Sequence, residues 1–412
     1  MELETAATVA SPVNRRAHQA LAWTRRILDA CGPRPAGSEA CRKAAELIAA
    51  DLRGHCDRVE IQPFECHPHA FIWHHVLTAP VTLAASVLLA RGSALPAFAL
   101  LLLVLALSIL EFGFYRELLD PLFPRRRCTN VMGVLEPQGG QPVRRQVVLS
   151  AHHDSAYEFR FLRHSKAVYI LALGWVALTL YALPIAAGLV VWLGAGLPST
   201  VSLLLGLFGA VGSAIGLFLV SPRSVPGAGD NLVASGILVS VASQLRERLG
   251  QDPGLLHGTR VIFASFDAEE SGLRGARAFV RDQQALLASA PTSDVDLDSF
   301  FHLDSLSALV SDLNGFVKLS EELVAMLEEE AKALGVPFCR RQMFYGIGAT
   351  DAAEFARAGI PATCIVGMSP SPLHPKPLPY HTRDDLPENL EPEVVEAGIE
   401  LSLRMILRLA RQ

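Results

Sequence analysis

Two long stretches of this chain carry no charged side chain, and they constrain its fold more than any other feature. The first covers residues 67–90 and, after a single arginine, residues 92–110; the second covers residues 167–222. A helix that crosses a lipid bilayer needs about 20 apolar residues. Buried helices of a soluble core seldom follow one another in tandem without a charge. The sequence therefore predicts two transmembrane hairpins.

Turn-forming residues divide each stretch into two predicted spans. The tips are Arg91–Pro96 and Gly194–Ser199. The four spans are, in chain order, about 71–90, 95–115, 168–193 and 199–220. They define hairpin 1 (67–127) and hairpin 2 (167–221). The rest of the chain is predicted to form one discontinuous domain, made of residues 1–66, 128–166 and 222–412.

Basic residues are unevenly distributed around the hairpins. Eight lie where the hairpins join the rest of the chain, namely Arg116, Arg125, Arg126, Arg127, Arg160, Arg163, Lys166 and Arg223. The two tips offer only Arg91. Loops that carry excess Lys and Arg stay on the cytoplasmic side of a membrane. We therefore expect a multi-pass membrane protein whose discontinuous domain is cytoplasmic.

The overall composition excludes several classes of protein. Hydrophobic residues make up 50% of the chain, charged residues 19%, and the net charge is −5. This balance does not fit a disordered chain, a coiled coil or a nucleic-acid binder that relies on positive charge. We therefore expect the lipid bilayer as a partner and no nucleic acid. The seven cysteines contain no CxxC pair, so they predict neither a disulfide framework nor a cysteine zinc site.

Outside the hairpins, β-like and helical segments alternate along the chain. This alternation predicts an α/β fold with a mixed, mainly parallel sheet and helices on both faces. The predicted strands are Arg58–Glu65, Thr129–Leu135, Gln146–Ala151, Arg260–Phe266, Phe300–Leu303 and Ala362–Val366. If the second of these paired directly with the third, the first would run parallel to the third. Both hairpins would then leave the sheet at the same edge.

Histidines and carboxylates follow several of these strands, at the edge where open α/β sheets bind their ligands. These residues, with two from nearby loops, are His152, Asp154, Asp230, Glu269, Glu270, Asp304 and His381. Two histidines and three carboxylates can hold two divalent cations while one glutamate remains free as a base. Asp154 would leave the strand end on the same side as His152, where it can fix the imidazole tautomer.

Five short motifs occur in an order that resembles the co-catalytic zinc aminopeptidase family. They are HHD at 152–154, GAGDN at 227–231, DAEESGLRGA at 267–276, HLDS at 302–305 and YHTRDD at 380–385. That family also includes glutamate carboxypeptidases and glutaminyl cyclases. The resemblance covers residues 18–66, 128–160 and 222–411, and it implies the three-layer α/β sandwich of the family, here interrupted by the two hairpins.

The resemblance also implies a pair of Zn²⁺ ions per chain. Asp230 would bridge the two ions. His152 and Asp304 would complete one site, and Glu270 and His381 would complete the other.

Further residues receive roles from the same resemblance. Asp154 would orient His152, and Glu269 would be the general base. Tyr345 and Asp351 lie in the segment FYGIGATD, where the family places substrate contacts. His153 receives no role.

These inferences together predict a membrane-embedded di-zinc aminopeptidase that removes N-terminal residues from peptide substrates. Two adjacent divalent cations lower the pKa of a bound water and polarise a carbonyl. Two alternatives are a single-zinc enzyme similar to glutaminyl cyclases and a non-catalytic receptor or scaffold that has kept the fold. The complete set of ligands and the base favour hydrolysis over both.

Overall fold

Eleven strands and twelve helices make up the regular structure of the described residues. The structure is a computed structural model, and it describes residues 12–194, 196–344, 346, 348–369 and 374–412. The strands are β1 Arg58–Cys66, β2 Arg126–Leu135, β3 Arg145–His152, β4 Tyr157–Phe159, β5 Val220–Ser224, β6 Thr259–Phe266, β7 Thr292–Phe300, β8 Ser307–Asp312, β9 Val317–Lys318, β10 Cys339–Gln342 and β11 Ala362–Gly367.

The helices fall into two groups by composition. Four apolar helices form the hairpins: α3 Pro68–Ala90, α4 Ala94–Ser108, α5 Lys166–Leu193 and α6 Ser199–Phe218. α4 continues as a π-helical turn over Ile109–Gly113. The others are α1 Pro12–Cys31, α2 Glu39–Leu52, α7 Val233–Gln251, α8 Arg274–Asp282, α9 Gln284–Leu287, α10 Glu321–Leu334, α11 Ala352–Arg357 and α12 Pro392–Ala410.

Nine of the strands form one mixed sheet in the order β1-β2-β6-β3-β7-β11-β8-β10, with β9 paired to β8. The central strands β6, β3, β7 and β11 run parallel. Side chains alternate between the two faces of a strand. Accordingly, Val147 and Leu149 of β3 lie in the core with α7 and α12, whereas Val148 lies in a second core with α8 and α11. The predicted α/β class with helices on both faces is confirmed.

The assumed pairing between β2 and β3 is wrong. β6 lies between these strands, antiparallel to β2 and parallel to β3. Because β1 is antiparallel to β2, it still runs in the same direction as β3. Its last residue, Cys66, therefore lies at the sheet edge that carries His152, and hairpin 1 leaves the sheet there.

The helices of the two hairpins pack against one another. α3 contacts α4 and α6, and α5 contacts the same two helices. Glycines of α6 allow close approach: a Cβ on Gly209 would lie 2.3 Å from Oγ of Ser86 in α3, and one on Gly212 would lie 1.9 Å from Oγ1 of Thr179 in α5. Small residues serve the same purpose between helices in membranes.

Each hairpin helix is long and apolar enough to cross a membrane, with the second extending over Ala94–Gly113. Their outward faces are apolar as well. Leu171 is 73% exposed and Trp192 is 80% exposed. An exposed apolar surface of this extent marks a membrane or protein contact rather than a surface adapted to water.

Candidate active site

Parallel pairing places two candidate metal ligands, His152 and Asp298, side by side at the edge of the sheet. β3 and β7 are in register with Ser150 opposite Asp296, which brings His152 level with Asp298. His152 Nε2 lies 3.8 Å from Asp298 Oδ1 and 3.5 Å from Asp230 Oδ1. The carboxyl ends of parallel strands carry the ligand sites of α/β sheets.

Asp230 presents one carboxylate oxygen to each of two neighbouring groups. Its Oδ1 faces His152 and Asp298, while its Oδ2 lies 3.1 Å from His381 Nε2. The same His381 nitrogen lies 3.3 Å from Glu270 Oε2. Two clusters, each with three potential ligand atoms, therefore share Asp230.

Backbone and side-chain hydrogen bonds fix Asp230 between these clusters. The carboxylate of Asp385 accepts hydrogen bonds from the backbone N–H groups of Gly229, at 2.6 Å, and of Asp230, at 3.2 Å. The side-chain amide of Asn231 donates to the carbonyl of Leu297 at 2.7 Å. The segment that carries Asp230 is thereby tied to the end of β7, next to Asp298.

Asp154 organises two parts of the site at once. Its Oδ1 lies 3.2 Å from His152 Nδ1, the position needed to fix the ring so that Nε2 faces the clusters. Its two carboxylate oxygens also accept the backbone N–H groups of Glu269, at 3.2 Å, and Glu270, at 3.3 Å. This aspartate thus sets the position of the turn after β6 as well as that of the imidazole.

Glu269 belongs to neither cluster but lies beside one of them. Its Oε2 is 3.6 Å from His152 Nε2. Burial raises the pKa of Glu269 well above its usual value, which the nearby His152 opposes and the Asp351 carboxylate reinforces. A carboxylate with a raised pKa next to candidate metal ligands is suited to accept a proton during a reaction.

His381 contacts one of the chain segments that connect hairpin 2 to the rest of the protein. The backbone N–H of Phe159, in β4, donates to the carbonyl of His381 at 2.9 Å. The imidazole packs against the rings of Tyr380 and Phe159, with centroid distances of 3.9 and 4.3 Å. β4 pairs with β5, so the two chain segments that enter and leave hairpin 2 meet beside this histidine.

The residues present fit divalent cations. Polar atoms buried in proteins almost always have hydrogen-bond partners, yet several side-chain atoms in the two clusters have none. Among the described residues they include Nε2 of His152, Oδ2 of Asp230, Oε1 of Glu270 and Nε2 of His381. Burial raises the pKa of Glu270 to about 7. Imidazole and carboxylate donors suit zinc.

The prediction that Asp304 is a metal ligand is not supported by its position. Asp304 lies in a short turn after β7 with its side chain 47% exposed, paired with Lys376 at 2.9 Å. Asp298 takes its place beside His152. The strand predicted over 300–303 is in fact Thr292–Phe300, and Asp298, six positions before Asp304, lies among its last three residues.

A signal for Asp298 is present in the sequence. Leu297-Asp298-Ser299 has the same residues as Leu303-Asp304-Ser305. Of the two aspartates, only Asp304 directly follows the strand expected over 300–303. The alternation of Asp294, Val295 and Asp296 has the period of two that is typical of a strand. Three aspartates are unusual in a buried strand, yet Asp294 and Asp296 are buried and accept hydrogen bonds from Ser150.

The two predicted substrate contacts have different outcomes. Tyr345 lies outside the described residues. Asp351 is buried at the start of α11, with no hydrogen-bond partner for either carboxylate oxygen among the described residues. It lies close enough to Glu269 for its charge to raise the pKa of that residue. The structure therefore brings Asp351 to the edge of the site.

A third cluster, formed by Cys41, His153 and Asp267, is a structural one. Asp267 accepts hydrogen bonds from the backbone N–H groups of Thr129, at 2.9 Å, and Gly37, at 3.2 Å. Burial, followed by the charge of Arg34, lowers the pKa of His153 to about 3. The same guanidinium charge opposes the binding of a further cation.

Comparisons with known proteins agree with this geometry. The sequence model of Peptidase family M28 matches residues 210–406. No curated protein matches the chain significantly. The match covers just under half of the chain, and it shows that this part of the protein is similar to metallopeptidases. The predicted resemblance to the co-catalytic zinc aminopeptidases, which are peptidase family M28, is confirmed.

Solved structures share the fold at low sequence identity. A Zn-dependent exopeptidase from Parabacteroides distasonis is 15% identical with a TM-score of 0.56, covering 95% of this chain and 97% of the other. BSAP, a zinc aminopeptidase from Bacillus subtilis, is 16% identical with a TM-score of 0.55, covering 95% and 94%. Glutaminyl cyclase from Porphyromonas gingivalis is 15% identical with a TM-score of 0.57, covering 95% and 98%. These similarities establish the fold and leave the reaction to be argued from the site.

Proposed function

We propose that this protein is a membrane-embedded di-zinc aminopeptidase. The observation that carries the proposal is the position of Asp230, whose two oxygens face two separate ligand clusters. His152 and Asp298 complete one cluster, and Glu270 and His381 complete the other. A single-zinc enzyme similar to glutaminyl cyclases would need only one cluster, and a receptor or scaffold would need neither.

The roles of the residues in hydrolysis follow from their positions. Zinc, when bound, polarises the scissile carbonyl and lowers the pKa of water. Glu269 accepts the proton of the attacking water and passes it to the leaving amine. Asp154 keeps His152 and the Glu269–Glu270 turn in place through its three contacts. Buried carboxylates such as Asp351 favour a substrate with a free, positively charged α-amine.

Exposed apolar residues support embedding in a membrane. Most large ones among the described residues lie on the four hairpin helices. The others are Ile61, Leu118, Leu122, Phe316 and Phe344. Leu118 and Leu122 lie in hairpin 1 after its second helix, and Phe316 stacks on Phe114 at 4.7 Å. The site therefore opens near the bilayer surface, where peptides with apolar N-terminal residues would be concentrated.

Purified, zinc-loaded protein in detergent should hydrolyse amino-acid anilides that have a free α-amine. N-acetylated forms of the same anilides should be poor substrates, because they lack the charged amine. A peptide with an N-terminal glutamine should be hydrolysed rather than cyclised, as mass spectrometry of the products would distinguish. Cyclisation without hydrolysis, or equal cleavage of acetylated substrates, would contradict the aminopeptidase assignment.

The proposed topology places the catalytic domain in the cytoplasm. In a background without the native cysteines, single cysteines at Ser93 and Ser199 in the two tips should react with an impermeant thiol reagent in intact cells. A cysteine at Ser289, which is exposed on the catalytic domain, should react only after the cells are opened. The opposite pattern would invert the topology, and release of the chain by alkaline carbonate would show that it is not embedded.

A further inference from the structure

The part of hairpin 1 that follows its second helix is attached to the catalytic domain by ion pairs. The guanidinium of Arg274 pairs with both carboxylate oxygens of Asp120 in a buried contact. Arg277 donates to Glu117 at 2.6 Å and to the carbonyl of Tyr115 at 3.2 Å. Both arginines belong to α8, which begins four residues after Glu270. The hairpin segment is therefore fixed relative to the turn that carries the proposed base.

A second set of contacts joins the end of the second helix of hairpin 1 to the loop before Asp351. The side-chain amide of Asn314 donates to the carbonyls of Phe112, at 3.0 Å, and Gly113, at 3.3 Å. Its Oδ1 accepts the backbone N–H groups of Gly346, at 2.9 Å, and Gly348, at 3.2 Å. One asparagine thus holds the end of hairpin 1 against the chain that leads to the active site.

Tyr115 lies between these two sets of contacts. Its ring packs against Phe71 at a centroid distance of 4.6 Å and belongs to a buried cluster with Leu273, Leu313 and Ala353. Its φ of 52° is in the left-handed region, which is unfavourable for a bulky residue unless its surroundings impose it. The contacts of this segment therefore hold the side chain in one direction.

The hydroxyl of Tyr115 lies next to the loop that leads to Asp351 and within range of the charges of Glu269 and Glu270. Among the described residues it makes no hydrogen bond, although only 6% of the residue is exposed. It lies 3.9 Å from the position that a Cβ on Gly348 would occupy. Burial raises the pKa of Tyr115 well above its usual value, and the carboxylates of Glu269, Asp312 and Glu270 raise it further. The phenol therefore remains protonated and available to donate.

We propose that Tyr115 contacts the substrate and donates a hydrogen bond to the oxygen of the scissile carbonyl. Hairpin 1 would then supply part of the catalytic pocket as well as a membrane anchor. This inference rests on the proposed peptidase function. A donor aimed at an oxygen that gains negative charge stabilises the transition state more than the ground state.

Tyr115→Phe should lower kcat by about 100-fold, the lower end of the range for removal of one such donor. KM should change by less than about threefold, because the bond strengthens mainly in the transition state. Zinc content and thermal stability should not change, since the ring packing is retained. Tyr157→Phe is the matched control. Its hydroxyl lies 3.2 Å from Nε2 of His69 in hairpin 1 and contacts no proposed metal ligand, so the kinetics should stay as in the wild type.

A binding measurement tests the same contact without turnover. A dipeptide phosphinate, which mimics the tetrahedral intermediate, should bind Tyr115→Phe less tightly by a factor similar to the loss in kcat, whereas an amino-acid amide should bind equally well. Unchanged kcat in Tyr115→Phe would overturn the inference, as would a loss of activity that is matched by a loss of zinc. If Glu269→Gln were also fully active, the proposed function itself would fail, which separates the two conclusions.

Discussion

Glu269→Gln is expected to retain its zinc and to lose activity by about 100- to 10,000-fold, the usual range for a lost acid–base group. The carboxylate lies beside His152 but outside both ligand clusters. The amide keeps the shape of the side chain and cannot accept the proton of water. Activity on an amino-acid anilide and elemental analysis of the same preparation would measure both parts of this expectation.

Glu270→Gln provides the contrast because it changes the adjacent residue. Glu270 lies in the cluster with Asp230 and His381, so its variant should lose zinc together with activity. Glu322→Gln, on the exposed side of α10, should behave as the wild type. If Glu269→Gln lost zinc and Glu270→Gln kept it, the two roles would have to be exchanged.

Asp298→Asn is expected to remove about half of the bound zinc and to lower activity by at least about 100-fold. Asp298 Oδ1 lies 3.8 Å from His152 Nε2, and losing one ion would remove several kcal/mol of stabilisation of transition-state charge. Asp230→Ala should lose more zinc still, because Asp230 contributes to both clusters. Elemental analysis and initial rates would measure these effects.

Asp304→Asn is the matched control for this prediction. Asp304 is the ligand expected from the sequence, yet it lies exposed and paired with Lys376. Its variant should keep its zinc and stay within about twofold of wild-type activity. Zinc loss in Asp304→Asn with full occupancy in Asp298→Asn would restore the original assignment and contradict the geometry.

The sequence alone predicted the features that depend on residues close together in the chain. Uncharged stretches long enough to span a bilayer predict the hairpin helices, because length and composition alone determine whether a helix can cross. The residues that follow β3 and β6 were recognisable because they come directly after apolar strands. His152, Asp230, Glu270 and His381 were selected in this way and with the family resemblance, and the structure places them together.

Features that depend on strand register or on contacts between distant segments were established only by the tertiary structure. The choice between Asp298 and Asp304 required the pairing of β7 with β3, since two identical Leu-Asp-Ser triplets differ only in which of them lies level with His152. The position of β6 between β2 and β3 depends on pairing between distant segments, which local sequence does not encode. The segment of Tyr115 is attached to the rest of the fold by Arg277 and Asn314, which are about 160 and 200 residues away in the chain. Periodicity and motifs report contacts within one element, whereas contacts between distant elements form only when the chain has folded.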